Sequence, residues 1–466
     1  MSYYFRTSTI FLFIGIIFFT AAYAQESEDL NNLALDEAIQ IALENHGLIK
    51  SGELEVKKAE TQYGQASSGK YPSLNLNSSL IYLDENPNYI FPSFDFNLDG
   101  LELPIIGSLD IPPLTVPQQN IKLLDKFNIE STLKLVYPIF TGGKISSLIA
   151  QTESNIKVAQ NKLALVKEEL IYNVSKAYWG CVLLNKLNDL GEEALARLEA
   201  TLELTENLYR KGSGSVTKLD YLKNKMIVES ARGLVESIKG QQAVAYEALK
   251  FLVGIEPAGH LSVKDNLLNP IMLNDSLYVL SEKLLQQNSQ IKLVENALQI
   301  FSAKIDEASS TLYPNIAVFG FYKNQINSYE AGYATKQNKN QFGAGVGLEL
   351  PIFEGLRSAY KIDETEIEYQ KLQNEKTLLT QSLKMNLSSL HAKLMHSQKR
   401  LAALNEAMVS AIDNRDLTKR AYHNDMAPIE DYIQSQLMES IMKAQYYLGQ
   451  FEVVELNLQL RKLIGE

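Results

Sequence analysis

A single cysteine, Cys181, leaves this chain of 466 residues no partner for an intrachain disulfide. Its five histidines show no zinc-ligand spacing; His391 and His396, five apart on a helical stretch, fall on different faces. No nucleophile elbow, phosphate loop or catalytic pair occurs, so the residues offer no catalytic, metal or cofactor site. Positive charge is in deficit as well. The 44 Lys+Arg against 55 Asp+Glu give −11, which argues against nucleic acid as a partner. Past the N-terminus no apolar run reaches the roughly 18 residues of a membrane-crossing helix. That leaves open crossing by β-strands, which need only about 9–11 residues each.

At the N-terminus stand Arg6, the apolar run IFLFIGIIFF and the A-x-A site Ala22–Tyr23–Ala24. They read as a secretory signal peptide, 1–24, cut before Gln25. The competing reading, a transmembrane anchor, has too short a run. No cysteine stands at the cut for lipidation. Removal takes away one positive charge, Arg6, and moves the net charge from −11 to −12.

What remains is a repeat. YPIF at Tyr137–Phe140 returns as LPIF at Leu350–Phe353, an offset of 213. Asp220–Tyr221 returns as Asp431–Tyr432, and the leucine-then-glycine ending at Gly254 returns at Gly465, both offset by 211. Tyr71–Pro72 returns as Tyr313–Pro314, offset by 242. Four anchors in one order mark a duplication, with repeats at 25–275 and 276–466.

Periodicity predicts the same elements in each repeat. Helices over 33–69 and 277–311 are stopped by Pro72 and Pro314. Alternating strands follow at 73–83 and 128–139, and at 315–325 and 341–352. Along the last, Phe342, Ala344, Val346, Leu348 and Leu350 oppose Gly343, Gly345, Gly347 and Glu349. Such alternation fits a soluble sandwich or a membrane barrel. Long helices come next, over 142–210 and 356–423. Ile145, Ile149, Thr152, Ile156, Ala159, Leu163 and onward step by four and three, a 3.5-residue period that asks for helical neighbours. Return helices over 217–252 and 428–463 close each repeat, with a linker over 253–275 in the first. Most of the 29 extra residues of the first repeat lie in 84–127, a long, unusually apolar loop holding six of the 13 prolines. It reads as an extracellular loop folded over a barrel mouth or onto its neighbours, or as a surface loop with its own small core. Four strands cannot close a barrel, and lipid tolerates no open sheet edge, so several chains must combine; three would give twelve strands.

Taken together, the duplication, the proline after each first helix, the PIF junctions, the tyrosine-to-aspartate turns and the leucine-glycine endings are similar to those of the TolC-type outer-membrane efflux proteins. The resemblance covers nearly the whole mature chain. It implies a mainly α fold with membrane β: a homotrimer whose 12-stranded barrel sits in outer-membrane lipid, on an α-helical tunnel in the periplasm of a Gram-negative bacterium. It further implies a passive duct for efflux or type I secretion, not an enzyme, joined through a periplasmic adaptor to an inner-membrane pump. The alternative from another class is an exported coiled-coil scaffold or adhesion protein, which has no use for four strands at duplicated places.

The resemblance also implies a gate. Asp431 matches a family aspartate at the periplasmic constriction. The next acidic position is Gln434 here, with Glu430 beside Asp431 as a replacement charge. Asp220 and Tyr422 match a latch that joins neighbouring turns, but its arginine falls on Ala427, leaving Lys218 or Lys223 as substitutes. Three copies of Asp431 on an axis would make a negative ring that favours cations. An aspartate starting a helix is equally a cap. At the strand-to-helix junctions, Pro138 and Pro351 are expected to end the strand ladder, and Gly142, Gly143 and Gly355 to turn the chain. Cys181 and Trp179 read as packing residues.

Overall fold

The computed structural model of the chain describes residues 30–96, 102–103, 107–108, 112–123, 125–212, 216–255, 260–264, 275–327, 339–424 and 426–466. The expected signal peptide lies outside them. The first repeat runs β1 (Leu30–Leu33), α1 (Leu35–Asn45), α2 (Gly47–Ser68), β2 (Ser73–Tyr82), β3 (Asn88–Phe91), β4 (Phe94–Phe96), β5 (Glu102–Leu103), β6 (Gly107–Ser108), β7 (Leu114–Val116), β8 (Gln119–Lys122), β9 (Phe127–Thr141), α3 (Lys144–Arg210), α4 (Lys218–Val253) and β10 (Leu261–Val263). The second runs α5 (Leu277–Gln287), α6 (Ser289–Ser309), β11 (Asn315–Asn327), β12 (Asn340–Glu349), α7 (Arg357–His423) and α8 (Ile429–Ile464). Counterparts match in length: α3 and α7 have 67 residues each, α4 and α8 have 36, α1 and α5 have 11.

One compact unit, residues 57–158 and 294–375, carries an antiparallel sheet in the order β12-β11-β9-β2. The central pair, β9 with β11, joins the two repeats. The register puts Leu74, Leu76 and Leu80 of β2 beside Leu135, Leu133 and Ile129 of β9, and then Val318 and Tyr322 of β11 beside Val346 and Phe342 of β12. These side chains share one face, because partners across a ladder do and successive residues do not. The face is apolar and bare: Phe342 is 89% exposed. Polar residues mark the other face, where Lys323 Nζ lies 2.8 Å from Glu130 Oε1. There Phe321 and Phe319 fill the space that side chains at Gly343 and Gly345 would need.

Two expectations change in this unit. Strand β9 continues through Pro138, where the ladder was expected to end: Ala317 pairs with Pro138 and Ile316 with Phe140, so Ile139 is bulged. A proline has no N–H for the ladder, and a bulge removes the need for one. Pro351 does stand beyond its strand, two residues after Glu349. The 84–127 stretch also holds ladders of its own, β3 with β8, β4 with β7 and β5 with β6, nested one within the next.

Among the described residues, the second unit, drawn from 1–56, 159–293 and 376–466, has helices as its regular elements apart from β1 and β10. Each expected first helix is in fact two. Non-helical backbone at His46 (ψ 130) and Asn288 (ψ 121) separates α1 from α2 and α5 from α6. Both residues cap the helix that follows: the Leu48 N–H donates to His46 Nδ1 at 3.3 Å, and those of Gln290 and Ile291 to Asn288 Oδ1 at 3.0 and 3.1 Å. The return helices end against these breaks. Gly465 (φ +83) ends α8 in the left-handed region, and a side chain there would come within 3.0 Å of the Gln287 carbonyl oxygen. The 253–275 linker also contains a strand: β10 pairs in parallel with β1.

Burial in this unit includes two large apolar clusters and a smaller one around Leu198 and Val228 near the hairpin turns. One large cluster gathers Tyr178, Trp179, Cys181, Leu249 and Val253, with Tyr178 donating to the Leu33 carbonyl at 3.1 Å. The other large one gathers Leu387, Leu394, Leu460 and Ile464. No helix of the described residues is long and apolar enough to cross a membrane.

Candidate functional site

The turns joining α3 to α4 and α7 to α8 hold the residues singled out by sequence. Each turn is braced by a stacked tyrosine pair, Tyr209 on Tyr221 (centroids 5.9 Å apart) and Tyr422 on Tyr432 (5.7 Å). The two pairs are counterparts in the duplication. In each, the end of a long helix is tied to the start of its return helix.

The caps differ between the turns. Thr217 and Asp220 form a capping box: the Asp220 N–H donates to Thr217 Oγ1 at 3.2 Å, and the Thr217 N–H to Asp220 Oδ2 at 2.9 Å. The Thr217 hydroxyl also donates to Oδ2, at 2.6 Å. These bonds, the hydroxyl's first, hold the Asp220 carboxyl below the usual carboxylate range. At the second turn Pro428 takes the cap position without a side-chain cap, and Glu430 and Asp431 supply charge to the first turn of α8 instead.

Adjacent in sequence, Glu430 and Asp431 serve different grooves. Glu430 reaches α4, where Lys223 Nζ lies 3.2 Å from its Oε1. A small cleft of about 70 Å³ there is lined by Asp220, Lys223, Glu430 and Gln434. Asp431 is exposed and, with Gln434, Ala427, Asn414 and Met438, lines a groove of about 490 Å³ beside α7. Thus Gln434 borders both grooves. Glu430 is matched by Lys223, and among the described residues no cation stands against Asp431. The structure brings Asp220 near Glu430 and Gln434 and stacks Tyr422 on Tyr432. Lys218 opens α4 as an exposed side chain.

The junction glycines are all left-handed: Gly142 at φ +62, Gly143 at +92 and Gly355 at +63. Leu356, the counterpart of Gly143, adopts φ +66, an unusual backbone for a leucine.

Sequence reasoning missed a charge cluster on the same hairpins. Glu439 of α8 is fully buried, with Lys443 Nζ at 2.6 Å, Arg415 Nη1 at 3.2 Å and Arg197 Nη1 at 3.3 Å. The 211-residue offset held the signal: the counterpart of Glu439 is Val228, buried beside Leu198, Ile429 and Ile433. A glutamate on an apolar stripe points to cations nearby. Among the described residues no group of His, Cys, Asp and Glu is placed to hold a metal ion.

Comparison with known proteins adds a family. The family model for outer membrane efflux proteins matches residues 114–255 and 280–466. The cation efflux system protein CusC of Escherichia coli O157:H7 is 24% identical over 387 residues, which is 78% of this chain and 73% of CusC. The probable outer membrane lipoprotein SilC of Salmonella typhimurium is 22% identical over 332 residues, 71% of this chain and 63% of its own length. Among solved structures, the CmeC outer membrane channel of Campylobacter jejuni aligns over 92% of this chain and 85% of CmeC, with a TM-score of 0.71 at 14% identity. VceC of Vibrio cholerae aligns over 92% and 96%, at 0.69 and 16%.

Proposed function

The chain belongs to the outer membrane efflux protein family, and on that premise we propose that three copies form a passive exit duct through the outer membrane. The observation that carries this reading is the four-stranded sheet. One face carries exposed Leu, Val, Phe and Tyr, with Ser78 bonded to Ser131 among them, suited to lipid, and the other carries Glu130, Thr132, Lys134 and Lys323 beside Phe319 and Phe321, suited to a water-filled lumen. Among the described residues, β2 and β12 are each paired on one side only. A sheet in lipid has to close. Joining β12 of one copy to β2 of the next closes twelve strands around three.

The long helical hairpins then stand in the periplasm, with their turns as the entrance. Asp431 supplies an acidic ring there, and Gln434 lines the same groove without charge. A periplasmic adaptor and an inner-membrane pump supply the energy and select the cargo. The duct itself makes and breaks no covalent bonds.

The test is expression of the full chain in a Gram-negative host. The expected product is a heat-modifiable trimer in the outer-membrane fraction that conducts in planar bilayers. A soluble monomer would overturn the reading.

A further inference from the structure

Glu439 stands where the repeat would place an apolar residue, and the geometry of its partners is lopsided. Arg415 and Lys443 belong to Glu439's own hairpin, α7 with α8, whereas Arg197 belongs to the other, α3 with α4. Each arginine also holds a carboxylate on its own helix: Arg197 Nη1 lies 2.9 Å from Glu193 Oε1, and Arg415 Nε 2.9 Å from Asp416 Oδ1. Separating the two hairpins at this level therefore leaves no charge alone. Glu439 keeps two cations and Arg197 keeps Glu193. The neighbouring contact across the hairpins is also polar, Gln436 Nε2 donating to Thr201 Oγ1 at 3.3 Å, with both residues buried. Such a contact can be exchanged for water more readily than an apolar one.

We propose that Glu439 is a detachable charge hub for the hairpin turns. Arg197 is the contact that breaks when the α7–α8 hairpin moves off α3. Arg415 and Lys443 keep Glu439 neutralised once it has moved. All three cations are positioning residues, and the inference rests on reading the chain as a gated channel. It makes the arginines act in opposite directions, although they touch the same carboxylate. Arg197 favours the closed arrangement alone. Arg415 accompanies Glu439 into both arrangements and matters more in the open one, where one cation fewer remains. A purely structural role has no such sign reversal, because losing either arginine would loosen the same bundle.

The test is planar-bilayer recording on the full chain and its Arg197→Ala, Arg197→Lys, Arg415→Ala and Gln436→Leu variants, each first checked for the heat-modifiable oligomer. Arg197→Ala is expected to raise the open-to-closed ratio about tenfold, the order of one charge-assisted contact. Arg197→Lys restores most of the wild-type ratio, and Arg415→Ala lowers it. Gln436→Leu, which touches no charge and replaces a water-exchangeable contact by an apolar one, lowers it by a smaller factor and probes the same interface should an arginine variant fail to assemble. Arginine variants that shift the ratio in the same direction, or an Arg197→Ala or Gln436→Leu channel that gates as wild type, would overturn the hub and leave the channel reading intact. A wild-type chain that forms no conducting oligomer would overturn both.

Discussion

Replacing Gly142 by alanine will open the strand-to-helix junction far more than the same change at Gly355. Both glycines hold left-handed backbone, φ +62 and +63, which disfavours alanine by about 1–2 kcal/mol at either position. They differ in the space around them. A Cβ at Gly142 would lie 2.5 Å from the Ser310 carbonyl oxygen and 2.8 Å from Tyr313 Cβ, whereas nothing lies within 4 Å of one at Gly355. A backbone carbonyl cannot rotate aside, so crowding adds about 1–3 kcal/mol at Gly142 alone. The totals are about 2–5 kcal/mol for Gly142→Ala and about 1–2 kcal/mol for Gly355→Ala. Leu356, at φ +66, gives the opposite case. Leu356→Gly relieves about 1–2 kcal/mol of strain, offset in part by the roughly 0.5–1 kcal/mol that glycine's chain entropy takes back.

Limited trypsin digestion of the purified full chain reads these differences, because Lys144 and Arg357 directly follow the two junctions. With reclosing fast relative to cleavage, the rate follows the opened population, and each 1.4 kcal/mol is about a factor of ten. Gly142→Ala should speed cleavage after Lys144 by at least about 30-fold, and Gly355→Ala should speed cleavage after Arg357 by about 5- to 30-fold. Leu356→Gly should slow the latter. Equal accelerations at the two junctions would show that the Ser310 carbonyl does not fill the space above Gly142.

Thr217→Ala should weaken the first turn by about 1 kcal/mol, by removing the cap. Because the Asp220 carboxyl is lowered in the fold, its contribution is present above the unfolded carboxylate value and lost as pH falls through the folded one. The variant should therefore show a flatter acid limb in thermal unfolding followed by circular dichroism; an unchanged limb would remove Thr217 as the cause. Cys181 is fully buried and its thiol is pushed up to about 12 by burial, so at pH 8 it should resist maleimide until guanidinium unfolds the chain. Rapid native labelling would contradict that packing. Asp431→Ala should raise single-channel conductance or weaken block by divalent cations, and identical values for both would dismiss the acidic ring.

The junctions show how far pattern carries. A glycine beside a proline after an alternating stretch announces that a strand ends and a helix begins, because each residue type restricts its own backbone. It does not announce a bulge. Pro138 and Pro351 occupy the same place in the repeated phrase, yet β9 passes through one and β12 stops before the other. The difference is register: β11 begins at Asn315, which pairs with Thr141 of β9 but with Glu349 of β12, so Pro138 falls inside its ladder and Pro351 beyond the end of the other. The helix breaks at His46 and Asn288 were equally out of sight. Neither residue forbids helix, and the backbone turns there because return-helix ends pack against it.

At the hairpin turns, sequence named the charges but not their partners. Glu430 and Asp431 are neighbours in the chain, and only the packing of α8 between α4 and α7 sends one to Lys223 and leaves the other in an open groove. Glu439 was recoverable by setting the two repeats side by side, but its three cations come from sequence separations of 4, 24 and 242 residues that no local period connects.

By itself the sequence determined the duplication, the kind and order of the long elements and the two faces of each strand, since all of these follow from spacing along one chain. The tertiary structure decided which strands are central, where helices break and which charges meet. Those outcomes depend on neighbours distant in sequence, and burial and missing hydrogen-bond partners, rather than backbone preference, set their energies.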